Sequence, residues 1–195
     1  MRTFFTSDTH FNHANIIQLS KRPFKDLVEM NEALTRNWNE VVRPEDVIFH
    51  LGDFAMGQRV LHKGFLERLN GYKVLIQGNH DGTGKKMLEM GWNEVNLNRT
   101  MSWGGKTFYM AHVPPREVDV YPDRFYHKEF TQSAPAHDYW LCGHVHEKFK
   151  RRRNVINVGV DIWDYKPVTL AQLMTAEAEA EPFVNPPFVP NPEYK

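Results

Sequence analysis

Five short clusters of histidine and aspartate punctuate this chain: Asp8-Thr9-His10, Gly52-Asp53, Gly78-Asn79-His80-Asp81, His112 and Gly143-His144-Val145-His146. Several follow an apolar run and coincide with a glycine, so their polar side chains fall where strands end and loops begin. Any fold that carries them has to draw distant parts of one chain to a common place. Gathered there, the clusters offer carboxylate, carboxamide and imidazole donors in the number that a two-metal hydrolytic centre needs. Taken singly, each has a plain structural reading. Asp8-Thr9-His10 suits a helix cap and turn, Gly52-Asp53 and Gly78-Asn79-His80-Asp81 suit turns, His112 suits a strand end, and His144 and His146 suit an exposed alternating pair. It is their joint occurrence, in this order, that carries the chemistry.

Bulk properties narrow the context. A chain of 195 residues is most simply one domain, here expected over 1–175, with a Pro- and Glu-rich tail over 176–195. Lys+Arg and Asp+Glu both number 24, so overall charge gives no argument for non-specific binding to nucleic acid or membranes. Cys142 is the only cysteine, which excludes an intramolecular disulfide and thiolate-rich metal sites. It reads as a small buried strand residue. Apolar runs are far shorter than a membrane helix requires, and a candidate ligand stands already at Asp8, where a secretory signal would need an apolar stretch. The expected location is cytoplasmic.

The first half alternates strand and helix. Arg2–Thr6, Asp46–Leu51 and Tyr72–Gln77 read as strands that deliver the first three clusters. Between the first two, Asp26 caps a helix with Leu27, Met30, Leu34, Trp38 and Val41 at helical spacing. A second helix is expected to turn Val60, Leu61, Phe65 and Leu69 inward and to stop at Gly71. Thr100–Trp103 and Lys106–Ala111 flank Gly104-Gly105 as a hairpin ending at His112. A Pro-rich, charged loop (Val113–Tyr126) follows, then a short strand into Gly143-His144-Val145-His146. Lys148–Arg151 and Val155–Val158 suggest a hairpin around Arg152–Asn154. Alternating βαβ units followed by hairpins imply two sheets with helices outside them.

In this order, Asp-x-His, Gly-Asp, Gly-Asn-His-Asp, a lone His and Gly-His-x-His resemble the calcineurin-like metallophosphoesterases, over about residues 3–165. The resemblance implies an α/β fold, a four-layer α/β/β/α sandwich of two mixed β-sheets with a dinuclear metal site at one edge. Carried over by position, one ion is held by Asp8, His10, Asp53 and His146. The other is held by Asp53, Asn79, His112 and His144, with Asp53 bridging. A bridging carboxylate suits two ions about 3.5–4 Å apart. Asp8 and Asp53 leave a surplus of positive charge for hydroxide and a phosphate ester. Such ligands favour Mn²⁺, with Fe, Co, Ni or Zn as alternatives, over an all-oxygen Ca or Mg cage.

The reaction implied by the resemblance is hydrolysis of a phosphate ester by a metal-bridging hydroxide. His80 would protonate the leaving group or stabilise the phosphoryl, and Asp81 would orient it. His13 and Arg116 are candidate substrate contacts. Gly52-Asp53-Phe54-Ala55-Met56-Gly57 lacks the arginine of protein Ser/Thr phosphatases, and the third cluster ends in Asp81 where theirs ends in Glu. The chain looks more like the short single-domain members found in bacteria and phages. The expected activity is a phosphodiesterase acting on a small nucleotide-type substrate. Phosphomonoesterase or pyrophosphohydrolase action at the same site is the alternative, and a non-catalytic interaction module is the reading from another class. Lys148, Lys150, Arg151, Arg152 and Arg153 suit a solvated hairpin tip, with nucleic acid as the less favoured partner.

Overall fold

Adjacent strand residues point to opposite faces, and here both faces are apolar. In the computed structural model, which describes residues 1–118 and 134–178, the first strand β1 (Thr3–Thr6) sends Phe4 to one core and Phe5 to another. β2 (Val47–His50) divides Ile48 from Phe49 in the same way, and β3 (Tyr72–Ile76) divides Leu75 from Val74 and Ile76. These strands lie parallel in register and continue to a parallel β4 (Glu94–Asn96).

The helices α1 (Ala14–Leu19), α2 (Leu27–Val41), α3 (Arg59–Arg68) and α4 (Gly84–Met90) contribute Ile16, Met30, Leu34, Trp38, Leu66, Met87 and Met90 to the outer core. α2 begins where expected, because the Asp26 carboxylate accepts the Glu29 amide and satisfies one of the unpaired donors of the first turn.

The second sheet is built from β5 (Asn98–Trp103), β6 (Lys106–Ala111), β7 (Tyr139–Cys142), β8 (Arg151–Arg152) and β9 (Val155–Asn157), in the order β5-β6-β7-β9-β8. Its inner face places Phe108, Met110, Leu141 and Ile156 against Phe5, Phe49, Val74 and Ile76. Its outer face gathers Tyr109, Ala111, Trp140, Cys142 and Val155 with Val118, Val145 and Phe149. Cys142 is thus the buried strand residue the sequence suggested. A short 3₁₀ turn (Val160–Ile162) leads to β10 (Val168–Thr169), which adds antiparallel to β1, and to α5 (Leu170–Met174). Both sheets are therefore mixed and five-stranded, and the expected two-sheet α/β sandwich is the fold.

Three local expectations change. Val60 and Leu61 are exposed at 70% and 42%, while Leu66 faces the core. Phe65 and Leu69 do pack on the core as expected, Phe65 stacking on Phe11 at 4.6 Å, so only the first turn of α3 departs from its local apolar pattern. α3 ends at Arg68, and Gly71 instead turns the chain into β3. The basic hairpin turns at Arg153-Asn154, with Arg152 paired to Val155. Among the described residues no helix is long and apolar enough to cross a membrane. The remainder of the loop expected from Val113 to Tyr126 and most of the expected tail, from residue 179 onward, lie outside the described residues.

Candidate metal centre

Strands that run parallel end on the same side. β1, β2 and β3 therefore release Asp8, Asp53 and Asn79 at one edge, while β6 and β7 release His112 and His144 at the adjoining edge of the second sheet. Main-chain bonds lock the two edges together. Ser7 bridges Gly159 and the Val160 amide bonds the Ser7 carbonyl, while within the second sheet the Gly143 amide bonds the His112 carbonyl. Two glycines permit close approach, one between the sheets and one within the first. A Cβ on Gly143 would come within 1.8 Å of Ser7 Oγ, and one on Gly78 within 2.2 Å of Asp53 Oδ1.

The backbone bends sharply where the clusters lie. Asp8, His10, Asp53, His144 and His146 have φ of 56°, 47°, 58°, 71° and 45°. Left-handed geometry in residues other than glycine costs on the order of 1–3 kcal/mol each and has to be held by surrounding bonds. Those bonds are visible: Asp8 N–H to the Gly52 carbonyl, His10 N–H to the Asp53 carbonyl, and His144 N–H to the Asp8 carboxylate.

At the centre stands Asp53, buried, with Oδ2 lying 3.6 Å from His10 Nε2, 3.4 Å from His112 Nε2 and 3.9 Å from His80 Nε2. Asn79 Oδ1 is 3.0 Å from His112 Nε2. Ligand atoms of Asp8, His10 and His146 lie within 4.8 Å of one another, and so do those of Asp8, Asp53 and His112. The His144 ring packs edge-on against His112 at 5.3 Å. The seven expected ligand positions are thus brought to one place. The ring nitrogens facing away are already engaged. His112 Nδ1–H donates to the Leu51 carbonyl, His146 Nδ1–H donates to Asp161, and His10 Nδ1 meets His13 Nδ1 at 3.3 Å. His10 Nε2, by contrast, is buried with no hydrogen-bond partner among the protein groups. A buried nitrogen lone pair beside two carboxylates is what a divalent cation satisfies, so the residues present fit a metal.

The electrostatics agree. Burial opposes the Asp53 charge, yet His112, His10 and His80 hold its carboxyl well below the usual range. Burial opposes a charge on His112 as well, but Asp53 and Asp8 raise it to about 10. Desolvation raises Asp8 and depresses His10. A positive charge is thus favoured between Asp53 and His112.

The remaining candidates are placed as follows. His80 has a side chain 44% exposed beside Asp53, and its own amide donates to Asp53 Oδ1. Both Asp81 oxygens accept main-chain N–H groups, from Asp53 and Gly78 on one and from Phe54 on the other. Burial and the charge of Asp53 push its pKa up to about 6. His13 is half-buried against His10, and Arg116 is exposed in the loop after His112. The basic run lies over aromatic rings: Lys150 on Trp163, Arg151 on Tyr139 and Arg152 on Phe149. His50 and His62 are buried.

Sequence reading passed over Arg22, Asp161, Ser7 and Asn157. Asn157 donates to the His146 and Phe149 carbonyls and accepts from the Gly159 amide, which shapes the turn that carries His146. Ser7 Oγ–H contacts the Asp8 carboxylate and the Leu51 carbonyl. A cavity of about 460 Å³ opens at the other end of β3, beside Lys63 and Lys73. There the Lys73 ammonium is spent on the Leu69 and Gly71 carbonyls.

Comparison with known proteins yields a consistent set. The sequence profile described as the calcineurin-like phosphoesterase superfamily domain matches residues 1–175. The chain is 36% identical over 173 residues to an uncharacterized protein of Methanocaldococcus jannaschii, with 87% of each covered. It is 27% identical over 191 residues to the Gene 66 protein of Mycobacterium phage L5, covering 83% of this chain and 87% of that protein. A crystal structure of a protein of unknown function from Aquifex aeolicus matches with a TM-score of 0.67 at 30% identity, covering 88% of this chain and 97% of that one.

Proposed function

Because this chain belongs to the calcineurin-like phosphoesterase superfamily, we propose that it is a dinuclear metal-dependent phosphodiesterase acting on a small nucleotide-type ester. Asp8, His10, Asp53 and His146 would hold one ion, and Asp53, Asn79, His112 and His144 would hold the other. The two cations, Mn²⁺ by preference, supply Lewis acidity to the phosphoryl oxygens and to the attacking water. The chain's own groups do the rest. His80, exposed at the mouth, donates a proton to the departing oxygen. Asp81 braces the Gly52-Asp53 turn against Gly78, so it steadies the bridging carboxylate.

One observation favours a diester. Among the described residues, the imidazoles of His13 and His80 close on the centre at its mouth, and burial lowers the pKa of His13, which favours its neutral form. Beyond the single proton that His80 gives to the departing oxygen, such a mouth adds little positive charge to the site. It suits a phosphodiester, which carries one negative charge, better than a monoester dianion. Arg116, exposed in the loop after His112, is our candidate contact for the substrate's outer portion.

The test is hydrolysis of bis-p-nitrophenyl phosphate against p-nitrophenyl phosphate by metal-stripped protein reloaded with Mn²⁺. Diester turnover that disappears in Asp53→Asn is expected. A preference for the monoester would overturn the diester reading and favour the phosphomonoesterase.

A further inference from the structure

Arg22 and Asp161 lie 139 residues apart in sequence and meet in the interior behind the centre. Their side chains are 0% and 1% exposed. The Arg22 guanidinium grips the carboxylate through Nε at 2.8 Å and Nη2 at 3.1 Å. Burying such a pair brings no stability that well-packed apolar residues would not match, so its position needs another reason. Its other partners supply one. Nη2 donates to the Asp8 carbonyl at 2.6 Å and Nη1 to the Thr9 carbonyl at 2.9 Å. On the far side, Asp161 Oδ2 accepts from His146 Nδ1 at 3.1 Å. These contacts end on the segments that carry Asp8, His10 and His146.

We propose that Asp161, held by Arg22, is a positioning residue that fixes the His146 ring with Nδ1 protonated and Nε2 turned towards Asp8 and His10. The consequence for cation binding rests on the metal reading above. An imidazole has two nitrogens and two neutral tautomers, and only the Nδ1–H form leaves the Nε2 lone pair for a cation. A carboxylate behind the ring selects that form and raises its basicity. Arg22 keeps the carboxylate from rotating, and through the Asp8 and Thr9 carbonyls it ties the bent Asp8–His10 segment to the same strut. The ligands supplied by the beginning and end of the domain are thereby held at a fixed separation.

Two measurements test this. The first is the long-range ¹H–¹⁵N spectrum of the His146 ring in metal-free protein, on the alkaline side of its titration. The wild type should show the Nδ1–H form, and an Nε2–H form there overturns the proposal whatever the variants do. The second is titration with Co²⁺, followed by calorimetry and visible absorption, of the wild type, Asp161→Asn, and the double variant Arg22→Met with Asp161→Leu. The double variant leaves no buried charge unpartnered and serves if the single one does not fold. One of two Co²⁺ equivalents should weaken by about 10–100-fold, with the other equivalent unchanged and the His146 spectrum shifted from the Nδ1–H form. A folded variant with both affinities and the tautomer unchanged overturns the proposal. Wild-type protein that binds no Co²⁺ would overturn the metal reading instead, and the His146 spectrum would still decide the orientation.

Discussion

In the proposed metal centre, a proton and a divalent cation would compete for the space between Asp53 and His112. Against the pressure of burial, the carboxylates hold His112 up at about 10, so near neutral pH the ring carries a proton that a metal has to displace. Mn²⁺ binding at pH 7 should therefore release protons, and its apparent heat should vary with the ionisation enthalpy of the buffer. A buffer-independent heat would mean that the ring is neutral. His80 differs, because it reaches Asp53 from an exposed position. His80→Ala should lower diester turnover by about 10²–10⁴-fold with metal content by elemental analysis unchanged, whereas loss of metal would show that His80 is a ligand. At this scale the donors Asp8, His10, Asp53, Asn79, His112, His144 and His146 were legible because their residue types and order are distinctive. Arg22 and Asp161 were not, since each is a lone charged residue and only the fold brings them together. Asp81 was legible as a member of its cluster, but not as an acceptor of main-chain amides, because nothing local indicates which backbone will arrive.

Among the elements, α2 could be read in full and α3 only in part. α2 carries its own signals, an Asp cap and a regular apolar stripe from Leu27 to Val41. α3 is short and has apolar residues on more than one face, so its sequence pattern placed Phe65 and Leu69 inward correctly but could not tell Leu66 from Val60 and Leu61. The two apolar positions should behave accordingly. Leu66→Ala, at 2% exposure, should lower stability by about 2–5 kcal/mol. Leu61→Lys should stay within about 0.5 kcal/mol. Urea midpoints at constant slope would measure both, and equal losses would refute the observed phase. β10 and α5 went unread for a related reason. Val168-Thr169 is too short for a periodic pattern, and its strand character comes from pairing with β1.

For the molecule as a whole, the acid side of the stability profile has an identifiable source in His50. Its Nε2–H donates to Thr9 Oγ, whose own proton goes to the Phe54 carbonyl, and Trp38, Phe54 and Trp92 surround the ring. Burial depresses its pKa from 6.5 to about 3. The unfolded chain thus accepts a proton that the folded protein refuses across this interval. The stability associated with a neutral His50 is fully present above about pH 6.5 and falls as the pH drops, by up to about 1.4 kcal/mol per unit. His50→Gln should remove that share of the slope between about pH 6 and 4 in a series of denaturation curves. An unaltered slope would mean that His50 is charged in the folded state.

The left-handed bends at Asp8, His10, Asp53, His144 and His146 have a further consequence. They are held by hydrogen bonds within the first sheet and, at His144, between the two sheets, so the protein sets the shape of the proposed cage by itself. Such a cage would work as a gauge: an ion of the wrong radius could be admitted only by straining those bonds, and choice among divalent metals would then rest on fit more than on intrinsic affinity.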